Sequence, residues 1–169
     1  TELSKEGLIT ALHKHYSKEE LEEFVTRTEY NSEFAMYSTG ISDSDIEKIE
    51  SMEELIRDNF KWICIDIANG YMERLVEFCL KMRSKFPNHI IVAGNVATRE
   101  MGEELLINGK VDLVKVGIGP GSACLTRMQT GVGMPQLSAI LECADAAHGI
   151  GGHIIGDGGI TNPGDMAKA

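Results

Sequence analysis

The sequence predicts an α/β fold built on a parallel sheet, and three observations support this prediction. Six short apolar segments recur along the 169-residue chain, and each is followed by an amphipathic segment with the periodicity of a helix. Parallel neighbouring strands need such helical crossovers. Polar or glycine-rich residues follow most of the apolar segments. Two architectures fit this pattern, a doubly wound open sheet and a (β/α)₈ barrel.

Apolar runs mark the six predicted strands. They are residues 7–12, 34–38, 62–67, 89–93, 111–116 and 153–156. The third, WICIDI, is a continuous apolar run with one acid, which is typical of a strand that is covered on both faces. Its acid, Asp66, is costly in a core unless it is paired, so Asp66 is interpreted either as a cap of the next turn or as a site residue.

Capping residues mark the predicted helices. These cover residues 18–27, a charged stretch from 42 or 43 to about 59, then 71–86, 99–108, 135–147 and a last helix from 162. Ser17 and Glu20 form a capping-box pattern, Thr98 precedes the fourth helix, and Asn162-Pro163 has the N-cap and N1 pattern. No linker or low-complexity segment interrupts the chain, so residues 1–169 are predicted to form a single domain.

Composition argues against several classes of function. A net charge of −10 lacks the basic footprint of a nucleic-acid-binding protein, and no apolar run reaches the ~18 residues of a membrane span. No signal-peptide pattern is present at the start. Four cysteines without CxxC or zinc spacing indicate reduced thiols in a cytosolic (cytoplasmic) protein. Cys64, Cys79 and Cys143 lie in apolar contexts and are predicted to be core residues.

Polar or glycine-rich clusters follow five of the six predicted strands. They are His13-Lys14-His15, Asp66 with Ala68-Asn69-Gly70, Gly94-Asn95, the loop from Gly117 to Cys124, and Asp157-Gly158-Gly159. Because the carboxyl ends of parallel strands share one edge of the sheet, these clusters are predicted to form one site there. Each cluster alone also fits a simple turn. A zinc pair of His13 and His15 is disfavoured because no third ligand is visible.

Cys124 differs from the other thiols because it ends a glycine-rich loop, GIGPGSAC. Gly117, Gly119 and Gly121 allow the backbone to curl. Curled amides favour a thiolate or a phosphate, whereas curled carbonyls favour a hard monovalent cation. Thr126 is close enough in sequence to exchange a proton with a group bonded to Cys124. The loop is neither a Rossmann fingerprint nor a Walker loop.

The run GIGPGSACLTRMQTGVGMPQLSA resembles the catalytic-cysteine loop of the inosine monophosphate (IMP) dehydrogenase and guanosine monophosphate (GMP) reductase family. ALHKHYS, DIANGY, GNVATREM and ECADAAHGIGGHI are similar to the reductase branch. The resemblance implies a TIM (β/α)₈ barrel, of which this chain would carry the second to seventh βα units and be truncated at both ends. An IMP dehydrogenase and a non-catalytic nucleotide-binding fragment are the alternative functions.

The resemblance also implies a chemistry, the NADPH-dependent reductive deamination of GMP to IMP in purine salvage. Cys124 would attack the guanine ring to give a covalent thioimidate, and Thr126 would move the proton for the departing ammonia. Leu125 stands where the family often has a second threonine, which leaves one hydroxyl for proton transfer. The family's flap and its remaining phosphate-binding glycines would lie beyond this chain, so residues 1–169 alone are expected to be inactive and prone to aggregate.

The resemblance assigns the remaining site residues by type of contact. NADPH contacts are implied at Lys14, Asp66, Ile67, Ala68, Ile118 and Gly119. Contacts with the small-molecule substrate GMP are implied at Ser122, Asp157, Gly158 and Gly159. A monovalent cation, K⁺, is implied at Gly119, Gly121, Cys124 and Arg127. The full-length enzyme is expected to be a homotetramer, with neither nucleic acid nor a membrane as a partner.

Overall fold

The computed structural model describes residues 2–169, which contain one six-stranded parallel sheet. The strands are β1 (Thr10–Ala11), β2 (Ala35–Thr39), β3 (Trp62–Asp66), β4 (Ile90–Val96), β5 (Leu113–Val116) and β6 (His153–Gly156). Their order in the sheet follows their order in the chain, and every neighbouring pair is parallel. A doubly wound sheet reverses its strand order at a switch point, whereas a barrel adds each strand on the same side. The sheet is therefore six strands of a barrel wall, curled into a half-barrel.

Nine α-helices occur in the described part of the chain. They are α1 (Glu2–Lys5), α2 (Lys18–Val25), α3 (Asp43–Ser51), α4 (Glu53–Asn59), α5 (Glu73–Lys85), α6 (Arg99–Ile107), α7 (Thr126–Thr130), α8 (Gln136–Gly149) and α9 (Pro163–Lys168). The predicted capping box at Ser17 and Glu20 is confirmed, with both reciprocal hydrogen bonds present. Asn162 caps α9 as predicted. Thr98 precedes α6 but makes no capping hydrogen bond, because its hydroxyl pairs with that of Tyr71 at 3.1 Å.

Three predicted boundaries were wrong. The charged helix predicted to run unbroken to about residue 59 is two helices, separated at Met52 (φ −121°, ψ 17°), whose side chain is buried. β1 is two residues long instead of six, because only Thr10 and Ala11 pair with β2, and Leu8 and Ile9 stay exposed. β4 extends to Val96, past its predicted end. The short helices α1 and α7 were not predicted.

The two faces of the sheet are covered differently. Side chains of the outer face, such as Ile63, Ile91 and Val114, are fully buried in a cluster that includes residues from the helices. The inner face carries a smaller cluster of strand residues only: Met36, Cys64 and Val92 with Trp62, Leu113 and Ile155 packed against them. Helices on one face only are typical of a barrel wall. Cys64, Cys79 and Cys143 are buried, which confirms their prediction as core residues.

Candidate active site

A cavity of about 360 Å³ lies at the carboxyl ends of β3 to β6. Most of its lining comes from the predicted clusters after these strands. The lining residues are Asp66, Ile67, Ala68, Asn95, Lys115, Gly117, Gly119, Pro120, Gly121, Cys124, Thr126, Asp157 and Gly158. Residues that are 91 positions apart in sequence, Asp66 and Asp157, therefore border the same space. The predicted convergence of these four strand ends on one site is confirmed.

Cys124 is the exposed cysteine of this chain, and it lies on the loop between β5 and α7. Its Sγ is 3.3 Å from Oγ1 of Thr126, the first residue of α7. Hydrogen bonds from the side chain and backbone of Thr126, together with the positive charge of Arg127, hold the pKa of the Cys124 thiol below its ordinary value. A thiolate is the nucleophilic form of cysteine, so this environment favours nucleophilic attack.

Arg127 links the two ends of the segment that carries Cys124, residues 117–134, which is called the cysteine loop below. Its guanidinium donates to the carbonyl oxygen of Met134, and the Met134 amide donates to the Ile118 carbonyl at 3.1 Å. The Arg127 side chain also packs against Gly119 and Gly133, where an added Cβ would lie 2.9 Å and 2.5 Å from it. Gly119, one of the glycines that the sequence singled out, and Gly133 thus leave room for an arginine side chain at this point. Arg127 holds the loop in place through these contacts.

Asp157 and Asp66 share one cation, Lys115. The Lys115 ammonium lies 2.8 Å from Oδ2 of Asp157 and 2.8 Å from Oδ1 of Asp66. The side-chain amide of Asn95 also donates to Oδ2 of Asp157 at 2.8 Å. Burial raises the pKa of Asp157, but the hydrogen bonds from Asn95 and Lys115 outweigh burial, so the net pKa is lowered. For Lys115, burial lowers the pKa, but the hydrogen bonds and charges of Asp157 and Asp66 outweigh burial, so the net pKa is raised. The site therefore holds one ammonium and an ionised Asp157 at neutral pH.

Several predicted site residues lie apart from the cavity. Lys14 follows β1 and borders Gly40 and Asp45, where its charge helps to lower the pKa of Asp45 against the opposing effect of burial. Ser122 lies on the exposed part of the cysteine loop. Gly159 packs against Gln136 and Pro120, at distances of 2.9 and 3.0 Å from an added Cβ. Ile118 is buried in the core, and Arg127 packs behind the loop. The structure thus brings together most of the predicted residues, but it does not place these five in the cavity wall.

The sequence analysis missed two residues that hold the site together. Lys115 is the single cation of the apolar strand VDLVKV, and its side chain is only 14 % exposed. Gln136 is buried at the start of α8, and its side-chain amide donates to the carbonyls of Val116 (2.8 Å) and Asp157 (3.3 Å). A charge in an apolar strand was the available signal for Lys115, since such a charge needs a partner. No local pattern marked Gln136.

Neither a metal cluster nor a membrane span is found in residues 2–169. No group of three or more histidine, cysteine, aspartate or glutamate side chains there is arranged to hold a metal ion, so His13 and His15 gain no third ligand of this kind. None of the helices in this range is sufficiently long and apolar to cross a bilayer.

Comparisons with known proteins identify the family of this chain. The family model described as "IMP dehydrogenase / GMP reductase domain" matches residues 1–169. The chain is 52% identical to a GMP reductase of Ascaris suum, 55% to one of Vibrio cholerae and 54% to human GMP reductase 2, in each case over 99% of its length. It spans about half of each relative, 47% to 48% of their length.

Solved structures show the same relationship. A GMP reductase from Trypanosoma brucei in complex with guanosine 5'-triphosphate superposes with a TM-score of 0.70 and 32% identity, covering 79% of this chain and 31% of that one. A cysteine-to-alanine variant of the Trypanosoma brucei enzyme gives a TM-score of 0.73 at 30% identity, over 82% of this chain and 31% of the other. With a matching family model over its whole length and relatives above 50% identity, the chain belongs to the IMP dehydrogenase/GMP reductase family.

Proposed function

We propose that the protein is a GMP reductase, which converts GMP to IMP with NADPH and releases ammonia. The observation that carries the proposal is the shared cavity of Cys124 and Asp157. Cys124 supplies an accessible thiol with a lowered pKa, and Asp157 supplies a carboxylate that is fixed in place. The names of the three relatives support the same reaction.

Cys124 is the nucleophile in this proposal. Its thiolate forms a bond to C2 of the guanine ring, and the bond from C2 to the exocyclic amine breaks. The amine takes up one proton and leaves as ammonia, which produces a thioimidate. Thr126, whose Oγ1 lies 3.3 Å from the sulfur, is placed to pass that proton. After C2 is reduced, the C–S bond breaks, IMP is released and the thiolate of Cys124 is restored.

The walls of the cavity support separate roles in binding. Asp157 would accept hydrogen bonds from the ribose hydroxyls through Oδ1, which makes no hydrogen bond within residues 2–169, while Gly158 leaves room for the sugar. Asp66, Ile67 and Ala68 line the same cavity and would hold NADPH, which supplies the hydride when bound. Gly119 and the buried Ile118 would complete the cofactor contact. Ser122 and Gly159, outside the cavity wall, would contact the phosphate. Lys14 would reach the cofactor only from the end of β1, which β2 separates from β3.

The cysteine loop fits a monovalent cation in part. Main-chain carbonyls of Gly119, Gly121 and Cys124 are hard oxygen ligands of the kind that K⁺ prefers. Arg127 can contribute only its carbonyl, because its guanidinium is itself positive, and that carbonyl accepts the Gly131 amide at 3.0 Å. The Gly121 carbonyl already accepts the Cys124 amide at 3.0 Å. A cation that also bound the carbonyls of Gly119 and Cys124 would hold the curled backbone around the thiol. Its effect on the reaction would be to position Cys124.

The test is an assay of the purified protein at its natural full length. NADPH oxidation should require GMP and release one ammonia per NADPH, and Cys124→Ala should bind GMP without turnover. Cys143→Ala is the matched control, since Cys143 is buried away from the cavity and its loss should leave turnover unchanged. Reduction of NAD⁺ with IMP, in place of NADPH oxidation, would make the protein an IMP dehydrogenase. GMP binding by a wild-type protein without turnover would make it a nucleotide-binding protein.

Assembly and location belong to the same proposal. Family membership favours a homotetramer in the cytosol. Light scattering of the full-length protein tests the homotetramer, because it measures the mass of the assembly. Residues 1–169 alone should be inactive and self-associated, because the sheet is open and leaves one edge of β1 and one edge of β6 unpaired within residues 2–169. A monodisperse monomer of residues 1–169 with GMP-dependent NADPH oxidation would contradict this expectation.

A further inference from the structure

Lys115 occupies an unusual position for a lysine. It lies on β5 between the buried residues Val114 and Val116, and its side chain extends from the inner face of the sheet. The ammonium reaches Asp157, which follows β6 on one side, and Asp66, which ends β3 on the other. One side chain therefore connects strand ends on both sides of β5. Lys115 forms two ion pairs, and its side chain is only 14 % exposed. These contacts make a fixed bridge, unlike an exposed ion pair such as that of Arg74 with Asp43.

The contact with Asp66 depends on the strand in between. β4 separates β3 from β5, and Gly94 is the residue in register with both Asp66 and Lys115. An added Cβ at Gly94 would lie 2.8 Å from the Lys115 Cβ and 2.3 Å from its carbonyl oxygen. The missing side chain at Gly94 thus opens the path along which Lys115 crosses β4. The sequence by itself indicates Gly94 only as part of a polar strand end.

The bridge through Lys115 leaves one oxygen of each carboxylate available to a ligand. Lys115 and Asn95 both donate to Oδ2 of Asp157, and Lys115 contacts Oδ1 of Asp66. Within residues 2–169, Oδ1 of Asp157 and Oδ2 of Asp66 make no hydrogen bond, and both residues line the cavity. The lysine therefore fixes two carboxylates and leaves one oxygen of each for a ligand.

We infer that Lys115 is a positioning residue that couples the substrate subsite to the cofactor subsite through Asp157 and Asp66. This inference rests on the proposed function, which assigns those two carboxylates to GMP and to NADPH. With Lys115 in place, the negative charges of Asp157 and Asp66 share its ammonium as a counter-ion, and the two carboxylates keep a fixed separation. Without it, the two carboxylates repel each other across the cavity and both lose their orientation.

The experiment compares binding and turnover in the full-length protein. Lys115→Met should weaken GMP binding about ten-fold or more in calorimetry without cofactor, because Asp157 loses the hydrogen bond that orients it toward the ribose hydroxyls. It should also raise the KM for NADPH. Lys115→Arg keeps the charge and should retain most of the affinity for GMP. Lys85→Met is the matched control, because Lys85 forms its ion pair with Glu53 far from the cavity and should leave both constants unchanged.

A second variant separates positioning from a general loss of structure. Asp66→Asn added to Lys115→Met removes the like charge that acts on Asp157, so GMP binding should recover by several-fold in the double variant. Damage to the fold alone would not be repaired by neutralising Asp66. If Lys115→Met binds GMP like the wild type, or if the double variant is no better than the single one, the inference is wrong. If the wild type binds no GMP at all, the proposed function fails instead.

Discussion

The side-chain amide of Asn95 donates to Oδ2 of Asp157 at 2.8 Å and to the carbonyl oxygen of Gly117 at 2.8 Å. It thereby ties the end of β4 to the residue that follows β6, across β5. Asn95→Leu should weaken GMP binding because Asp157 is then held by Lys115 alone. It should also lower the free energy of unfolding by roughly 1–3 kcal/mol, since the Gly117 carbonyl loses its partner in a buried place.

Calorimetry with GMP and urea denaturation measure the two effects of Asn95→Leu. Asn108→Leu is the matched control, because Asn108 is exposed and its amide pairs with Glu104 on the same helix. That substitution should leave GMP binding unchanged. Unaltered GMP affinity in Asn95→Leu would show that Asn95 does not orient Asp157.

The Cys124 thiol should be alkylated at a lower pH than an ordinary cysteine. Its pKa is lowered by the hydrogen bonds from Thr126, so the thiolate fraction rises at lower pH. Thr126→Val should shift the inflection of the iodoacetamide rate to higher pH. Thr130→Val, on the same helix, is the control, since its hydroxyl donates to the Thr126 carbonyl and not to the thiol. An inflection that stays in place in Thr126→Val would exclude the hydrogen bond as the cause.

Mass spectrometry of the alkylated protein should find the label on Cys124. Burial raises the pKa values of Cys64 and Cys143 to about 11 and that of Cys79 to about 12, so these thiols stay protonated near neutral pH. Bound GMP should protect Cys124. Modification of a buried cysteine in the native protein at a comparable rate would contradict the burial of that residue.

Gly117 should tolerate no side chain. An added Cβ there would lie 2.4 Å from the Asp157 carbonyl oxygen, so Gly117→Ala must displace either the cysteine loop or the β6 end. We expect slower alkylation of Cys124 and weaker GMP binding. Gly102→Ala is the control, because Gly102 lies in α6 outside the cavity wall and its added Cβ would meet no neighbouring atom within 4 Å. Equal effects of the two substitutions would refute the importance of this close approach.

Arg83 should stabilise the fold without affecting the site. Its guanidinium donates to three main-chain carbonyls and to Asp112, near the amino ends of β4 and β5, away from the cavity. Arg83→Met should lower the free energy of unfolding by about 1–3 kcal/mol, because four acceptors, of which the His89 carbonyl is partly buried, lose a charged donor together. The exposed pair of Arg74 with Asp43 offers the control, and Arg74→Met should cost less than about 1 kcal/mol.

Urea denaturation and GMP calorimetry separate stability from binding in the arginine variants. Arg83→Met should still bind GMP with unchanged affinity at temperatures where it remains folded. A loss of unfolding free energy equal to that of Arg74→Met would show that the contacts of Arg83 contribute no more than a surface ion pair.

The sequence determined much of this protein by itself. Apolar periodicity and capping patterns located all six strands and most of the helices, because these signals depend on local burial and local hydrogen bonds. The polar residues after the strands placed Asp66, Asn95, Cys124 and Asp157 in one site, since parallel strands must end at a common edge. Glycine spacing and one exposed thiol marked the cysteine loop.

Tertiary structure decided what local patterns do not encode. The order of the strands selected the barrel over the doubly wound sheet, because both architectures use the same βα units. The bridge from Lys115 over Gly94 to Asp66 joins residues on three strands, and Gln136 reaches the ends of two. The break at Met52, whose side chain is buried, and the two-residue pairing of β1 with β2 are likewise features of the assembled fold. Such contacts depend on the register of the strands, which is fixed only when the whole sheet assembles.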